Sequence, residues 1–94
     1  MADQVKKAVI TVVGKDTVGI IAKVCTYLSD NSVNVLDISQ TIVDGFFNMM
    51  MIVDIRNLGF EFTEMQEKLS QIGQDIGVDL RCQKAEIFEM MHRI

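Results

Sequence analysis

Ala8-Val9-Ile10-Thr11-Val12-Val13-Gly14-Lys15-Asp16-Thr17-Val18-Gly19-Ile20 holds the transition on which the architecture turns, from a run of strand formers, across a glycine, to helical spacing. In its first half two apolar sets alternate, Val9/Val13 and Ala8/Ile10/Val12, as in a central strand covered on at least one face. From Val18 the period changes: Val18, Ile21, Val24/Cys25 and Leu28 make one helical stripe, flanked by Ile20 and Tyr27. A strand turning this sharply into a helix aims several backbone N–H groups at one point, which is a binding geometry before any side chain is counted. Asp16 or Thr17 is the expected N-cap. The helix should stop near Asp30-Asn31-Ser32, where short polar side chains compete for the backbone.

Working outward, Asn34 to Val43 alternates Leu36, Ile38 and Ile42 against Asp37, Ser39 and Thr41, the pattern of a half-buried strand. Asp44-Gly45 is a type I′ turn signal, and Phe46 to Ile55 returns as the partner strand. Thr63-Glu64-Met65-Gln66 fits a capping box, and Phe62, Met65, Leu69, Ile72 and Ile76 keep the spacing of a second core-facing helix, closed by Gly77. Val78 to Lys84 is a last strand, and Ala85 to Arg93 adds a short helical tail. The order β-α-β-β-α-β predicts an α+β, ferredoxin-like sandwich: four antiparallel strands with both main helices on one face. Asn34–Val43 then lies at a sheet edge, long, without Pro or Lys and with no evident bulge residue. Phe46, Met50 and Ile52 alternate with Phe47, Met49, Met51 and Val53, so the third strand is apolar on both sides. A second copy of the chain is the expected cover, with Ile87, Phe88, Met90 and Met91 as a contributing lid.

The chain has 94 residues, enough for one core but not two. A net charge of −4 gives a phosphate backbone nothing to attract, so a nucleic-acid partner is not expected. No apolar run reaches the roughly 18 residues of a spanning helix, and Met1-Ala2-Asp3-Gln4 does not open a signal peptide, so a cytoplasmic protein is expected. Cys25 and Cys82 sit in apolar patterns, outside any C-x-x-C pair, and reduced core residues are the default over a disulfide or a reactive thiol.

Catalysis finds little support. Gly14 and Gly19 have the spacing of a phosphate loop, but Ile20-Ile21 follow where Lys-Ser/Thr is needed. His92, the single histidine, is close to the C-terminus, and no His/Cys/carboxylate spacing suggests a metal. Neither metal nor cofactor is expected. Asp37, Asp44 and Asp54 could meet across the hairpin, though exposed strand-face charges are the commoner explanation for such residues. An acylphosphatase-type site on this topology would need an arginine in the first loop, and the first arginine is Arg56. The Met49-Met50-Met51 run suits core and interface filling, or an adaptable contact surface. Glu61, Glu64 and Glu67 with Lys68 read as a solvated helix face.

The run Ile10-Thr11-Val12-Val13-Gly14-Lys15-Asp16-x-Val18-Gly19-Ile20, followed by Asn34-Val35-Leu36-Asp37-Ile38-Ser39-Gln40, resembles an ACT domain, the small regulatory module of amino-acid metabolism. The resemblance is to free-standing ACT proteins of the UPF0237 type, related to the ACT half-domains of the glycine cleavage system transcriptional repressor. It covers nearly the whole chain, residues 1–94 as one domain with a core of about 7–85 and a tail of 86–94, including the ending Ile87-Phe88-x-x-Met91-His92-Arg93-Ile94. It implies a small effector, commonly an amino acid, bound at the seam between two protomers. Gly14, Lys15, Asp16, Thr17 and Gly19 would form the loop side, and Asn34, Val35 and Leu36 the strand side. Helix N-terminal N–H groups would hold a carboxylate, Asp16 an α-amino group, and Asn34 would donate and accept as an amide. Many effector-binding ACT loops carry Asn or Asp followed by Arg-Pro-Gly, whereas this chain has Asp16-Thr17-Val18-Gly19, so ligand identity does not transfer. A plainer role is open too: Gly19 for close helix–sheet packing and Asp16 as a cap.

The resulting expectation is a non-enzymatic homodimeric sensor of an amino acid or related metabolite, acting in trans on a partner enzyme or regulator. The alternatives are a ligand-free dimerisation module and, less favoured, a small acylphosphatase-like hydrolase.

Overall fold

A computed structural model describes residues 6–15 and 18–86, without the side chain of Val18. The expectations placed on Asp16, Thr17, Ile87, Phe88, Met90, Met91, His92 and Arg93 lie outside the described residues. The elements run β1 (Lys7–Gly14), α1 (Val18–Asp30), β2 (Asn34–Val43), β3 (Phe46–Asp54), α2 (Phe62–Ile76) and β4 (Asp79–Lys84). The sheet order is β2-β3-β1-β4 with every pairing antiparallel. This is the expected ferredoxin-like arrangement, with β2 at an edge.

Alternation in the strands decides which side chains meet the helices. Ala8, Ile10 and Val12 of β1, Phe47, Met49, Met51 and Val53 of β3, and Leu80 and Cys82 of β4 form one buried face. From α1 the buried spine is Ile20, Val24 and Leu28, and from α2 it is Met65 and Leu69. The stripe on α1 is thus rotated from the expected one: Ile20 is fully buried, while Ile21 and Cys25 are half-buried.

The turns behave as their residues dictate. Asp44 (φ 53°) and Gly45 (φ 83°) are both left-handed, as a type I′ turn requires. Gly77 adopts φ 90° and its N–H donates to the Gly73 carbonyl at 2.8 Å, closing α2. α1 ends at Asp30, and Asn31 Nδ2 donates back to the Tyr27 carbonyl at 2.8 Å. The capping box does not form. Glu61 is the N-cap of α2 with no side-chain cap bond, and Gln66 Nε2 donates instead to the Cys82 carbonyl at 2.7 Å, joining α2 to β4.

β2 differs from expectation in two ways. Its register slips between Val35 and Asp37, so Leu36 is the extra residue of a β-bulge. Beyond the bulge Ile38, Gln40 and Ile42 stand opposite Met51, Met49 and Phe47, on the helix side of the sheet. The strand is also open rather than half-buried: only Val35 is partly covered, and Ile42 and Val43 keep 71% and 60% of their surface in water.

Candidate functional site

The loop side and the strand side of the expected site stand at opposite ends of the sheet. Gly14 pairs with Phe47, and Phe47 with Ile42, which places the loop side beside the β2–β3 turn. Asn34 pairs with Asp54, which pairs with Lys7 at the other end. The ten residues of β2 separate the two by roughly 30 Å at the usual strand rise. Within one protomer the chain therefore does not bring Gly14, Lys15 and Gly19 together with Asn34, Val35 and Leu36. Asp16 and Thr17 lie outside the described residues.

Each end has its own open cleft along the seam of α1 and β2. At the loop end Ile21, Gln40, Thr41, Ile42 and Phe47 line a hollow of about 390 Å³. Lys15 is exposed, its ammonium 5.6 Å from the centre of the Phe46 ring in a cation–π arrangement. At the strand end Cys25, Leu28, Ser29, Ser32, Asn34 and Val35 are among the residues around a hollow of about 470 Å³. Ser32 has φ 60°, a left-handed backbone that swings the chain from α1 into β2 and leaves Asn34 exposed at the rim.

Two glycines, Gly14 and Gly73, carry packing duties. A Cβ on Gly14 would run into the side chain of Val78, lying 2.8 Å from its Cβ, so Gly14 is small because β4 begins directly against it. Gly73, which the sequence pattern missed, stands the same way under Leu80, whose Cβ would be 2.8 Å from an added methyl. The only signal for Gly73 was a glycine four residues before the αL glycine of the same helix, which does not by itself reveal a neighbour.

Polar groups outside the clefts are mostly engaged. Asp54 is buried, accepts from the Arg56 amide and pairs with Arg56 Nε, both at 3.0 Å. It is thus not one of three carboxylates meeting across the hairpin: Asp44 is at the opposite end and Asp37 lies beside Ile52. Arg56 is held at the β3 terminus, remote from the first loop. Among the described residues no group of three His, Cys, Asp or Glu side chains could hold a metal. Cys25 and Cys82 are both free, and burial pushes the Cys82 thiol up to about 12. Tyr27 is raised as well, by burial first and then by Glu64 and Cys82 nearby. Its hydroxyl is buried and unpaired among the described residues.

Residues 6–83 match the ACT domain family. A UPF0237 protein of Bifidobacterium longum is 67% identical over 88 residues, spanning 94% of this chain and 98% of its own. The solved structure of an ACT domain protein from Streptococcus pneumoniae superposes with a TM-score of 0.78 at 40% identity, covering 92% of this chain and 97% of that one. A protein described as a glycine cleavage system transcriptional repressor shares the fold, with a TM-score of 0.71 at 21% identity over 88% of this chain and 47% of its own. No helix among the described residues is long and apolar enough to cross a membrane.

Proposed function

The chain belongs to the ACT domain family, a family of regulatory small-molecule-binding domains, and from that premise we propose that it is a cytoplasmic homodimeric sensor. In this reading it binds an amino acid or related metabolite across the dimer seam and acts in trans on a partner enzyme or regulator.

What supports the reading is that the proposed loop residues and the proposed strand residues stand at opposite ends of β2, an edge strand with a neighbour on one side only. Antiparallel pairing of two β2 strands about a two-fold axis sets the start of one against the end of the other. Asn34, Val35 and Leu36 of one copy then face Gly14, Lys15 and Gly19 of its partner, twice per dimer. Asp16 and Thr17 complete the loop side. Helix N-terminal amides and Lys15 suit a carboxylate, and the apolar floor of Ile21, Ile42 and Phe47 suits a side chain. By linkage, such a ligand tightens the dimer by the free energy with which the dimer tightens the ligand.

A thermal-shift screen against amino acids and related acids tests this. A ligand at a hundredfold its Kd adds about 2.7 kcal/mol, several degrees for a domain of this size. The gain should vanish in both Asp16→Ala and Asn34→Ala. Failure of every compound favours a ligand-free pairing module, which the contact of Gly14 with Val78 supports by giving that glycine a reason unconnected with a ligand. A hydrolase is disfavoured by Arg56, which is tied to Asp54.

A further inference from the structure

The two hollows beside β2 differ in chemistry. At the loop end the walls are Ile21 of α1, Ile42 of β2 and Phe47 of β3, with Gln40 and Thr41 completing the lining. None of these residues is charged. Thr41 stands opposite Asn48, on the face of the sheet turned from the helices, which leaves Gln40 as the polar side chain on the helix side. Lys15 holds its ammonium over Phe46, outside this set. The strand-end hollow instead gathers Cys25, Ser29, Ser32 and Asn34.

Resting on the seam reading above, we propose that the effector is an α-amino acid with an apolar side chain, aliphatic or aromatic, and that Ile21 and Ile42 select it. In the antiparallel β2 pair the start of the partner's strand comes against the loop end. Val35 and Leu36 of the partner subunit then extend the apolar walls, and Asn34 of the partner subunit stands at the polar side. One end of the composite site is thus built for hydrogen bonding and the other for hydrocarbon, the division an amino acid of this class presents.

The other side-chain classes fit less well. A charged side chain in the loop-end hollow would give up its hydration against Ile21 and Phe47 with no counter-charge among the described walls. A small polar one would find Gln40 alone to bond with and would leave Ile42, 71% exposed, in water. An apolar side chain removes that surface from water instead. The size agrees: about 390 Å³ lies at the small end of ligand pockets, which run from about 300 to 1,000 Å³, and suits a single amino acid rather than a nucleotide.

Calorimetric titration of the intact chain with L-leucine, L-phenylalanine, L-alanine, L-aspartate and L-lysine tests the assignment. Each buried methylene multiplies affinity by about four, so L-leucine, larger than L-alanine and partly covered, should bind about tenfold tighter. L-Aspartate and L-lysine should bind more weakly than L-alanine. Ile21→Ala and Ile42→Ser should each bring the leucine-to-alanine ratio down toward one. A merely weakened seam would lower both affinities together and leave that ratio in place. L-Alanine binding as tightly as L-leucine, a preference for L-aspartate or L-lysine, or a ratio unchanged in both variants overturns the assignment while an amino-acid sensor still stands. Failure of L-leucine and L-phenylalanine to bind overturns it as well, and only failure of the whole amino-acid screen described above overturns the sensor itself.

Discussion

β1 and β2 are nearly alike in apolar content and meet opposite fates. β1 has a strand on each side and two helices above it, and Ala8, Ile10 and Val12 lose all contact with water. β2 has one neighbour, and its isoleucines stay wet. Alternation reports that a strand has an apolar face; what covers that face depends on where the topology puts the strand. The excess apolar surface of β2 is thus unspent in the single chain, which is the condition for a second copy to use it.

Breaking the buried member of the pair gives the largest effect. Ile10→Ala should cost about 2–5 kcal/mol, read as a lower denaturant midpoint at unchanged slope. A smaller loss is expected from Gly73→Ala, where overpacking against Leu80 costs about 1–3 kcal/mol and helix propensity returns about 1 kcal/mol. Cys82 sharpens the contrast through pH. Its folded pKa is raised from an ordinary 9.0 to about 12, so the folded state keeps a proton that the unfolded chain releases. Stability is intact below about 9 and falls as pH rises toward 12, by up to about 1.4 kcal/mol per pH unit. Tyr27 acts in the same direction. Cys82→Ala should flatten the thiol's part of that slope in alkaline melts. Smallest of all is Ile42→Lys, expected to move the stability of the isolated chain by no more than about 0.5 kcal/mol. If β2 is the seam, sedimentation should nevertheless show a monomer.

The elements were legible because their signals are local. Asp44-Gly45 and Gly77 mark left-handed backbone, and the period change at Val18 marks a strand giving way to a helix. What escaped was set by distant neighbours. The bulge at Leu36 has no glycine or proline to announce it and exists only as a register against Val53 and Ile52. Gln66 has a cap position within reach but bonds to Cys82, sixteen residues on. Gly14 belongs to a motif that suggests a ligand, and its contact with Val78 is invisible until β4 is in place. The two halves of the candidate site were identifiable as residues, but their separation on one chain follows from strand order alone.

The contact of Gly14 with Val78 has a consequence for what the sequence tolerates. A Cβ at Gly14 would have no room beside Val78, the residue just before β4, and β4 is bonded to α2 through Gln66. A side chain introduced at the end of β1 would therefore have to displace the start of β4, so two strands that are distant in the chain share one packing constraint.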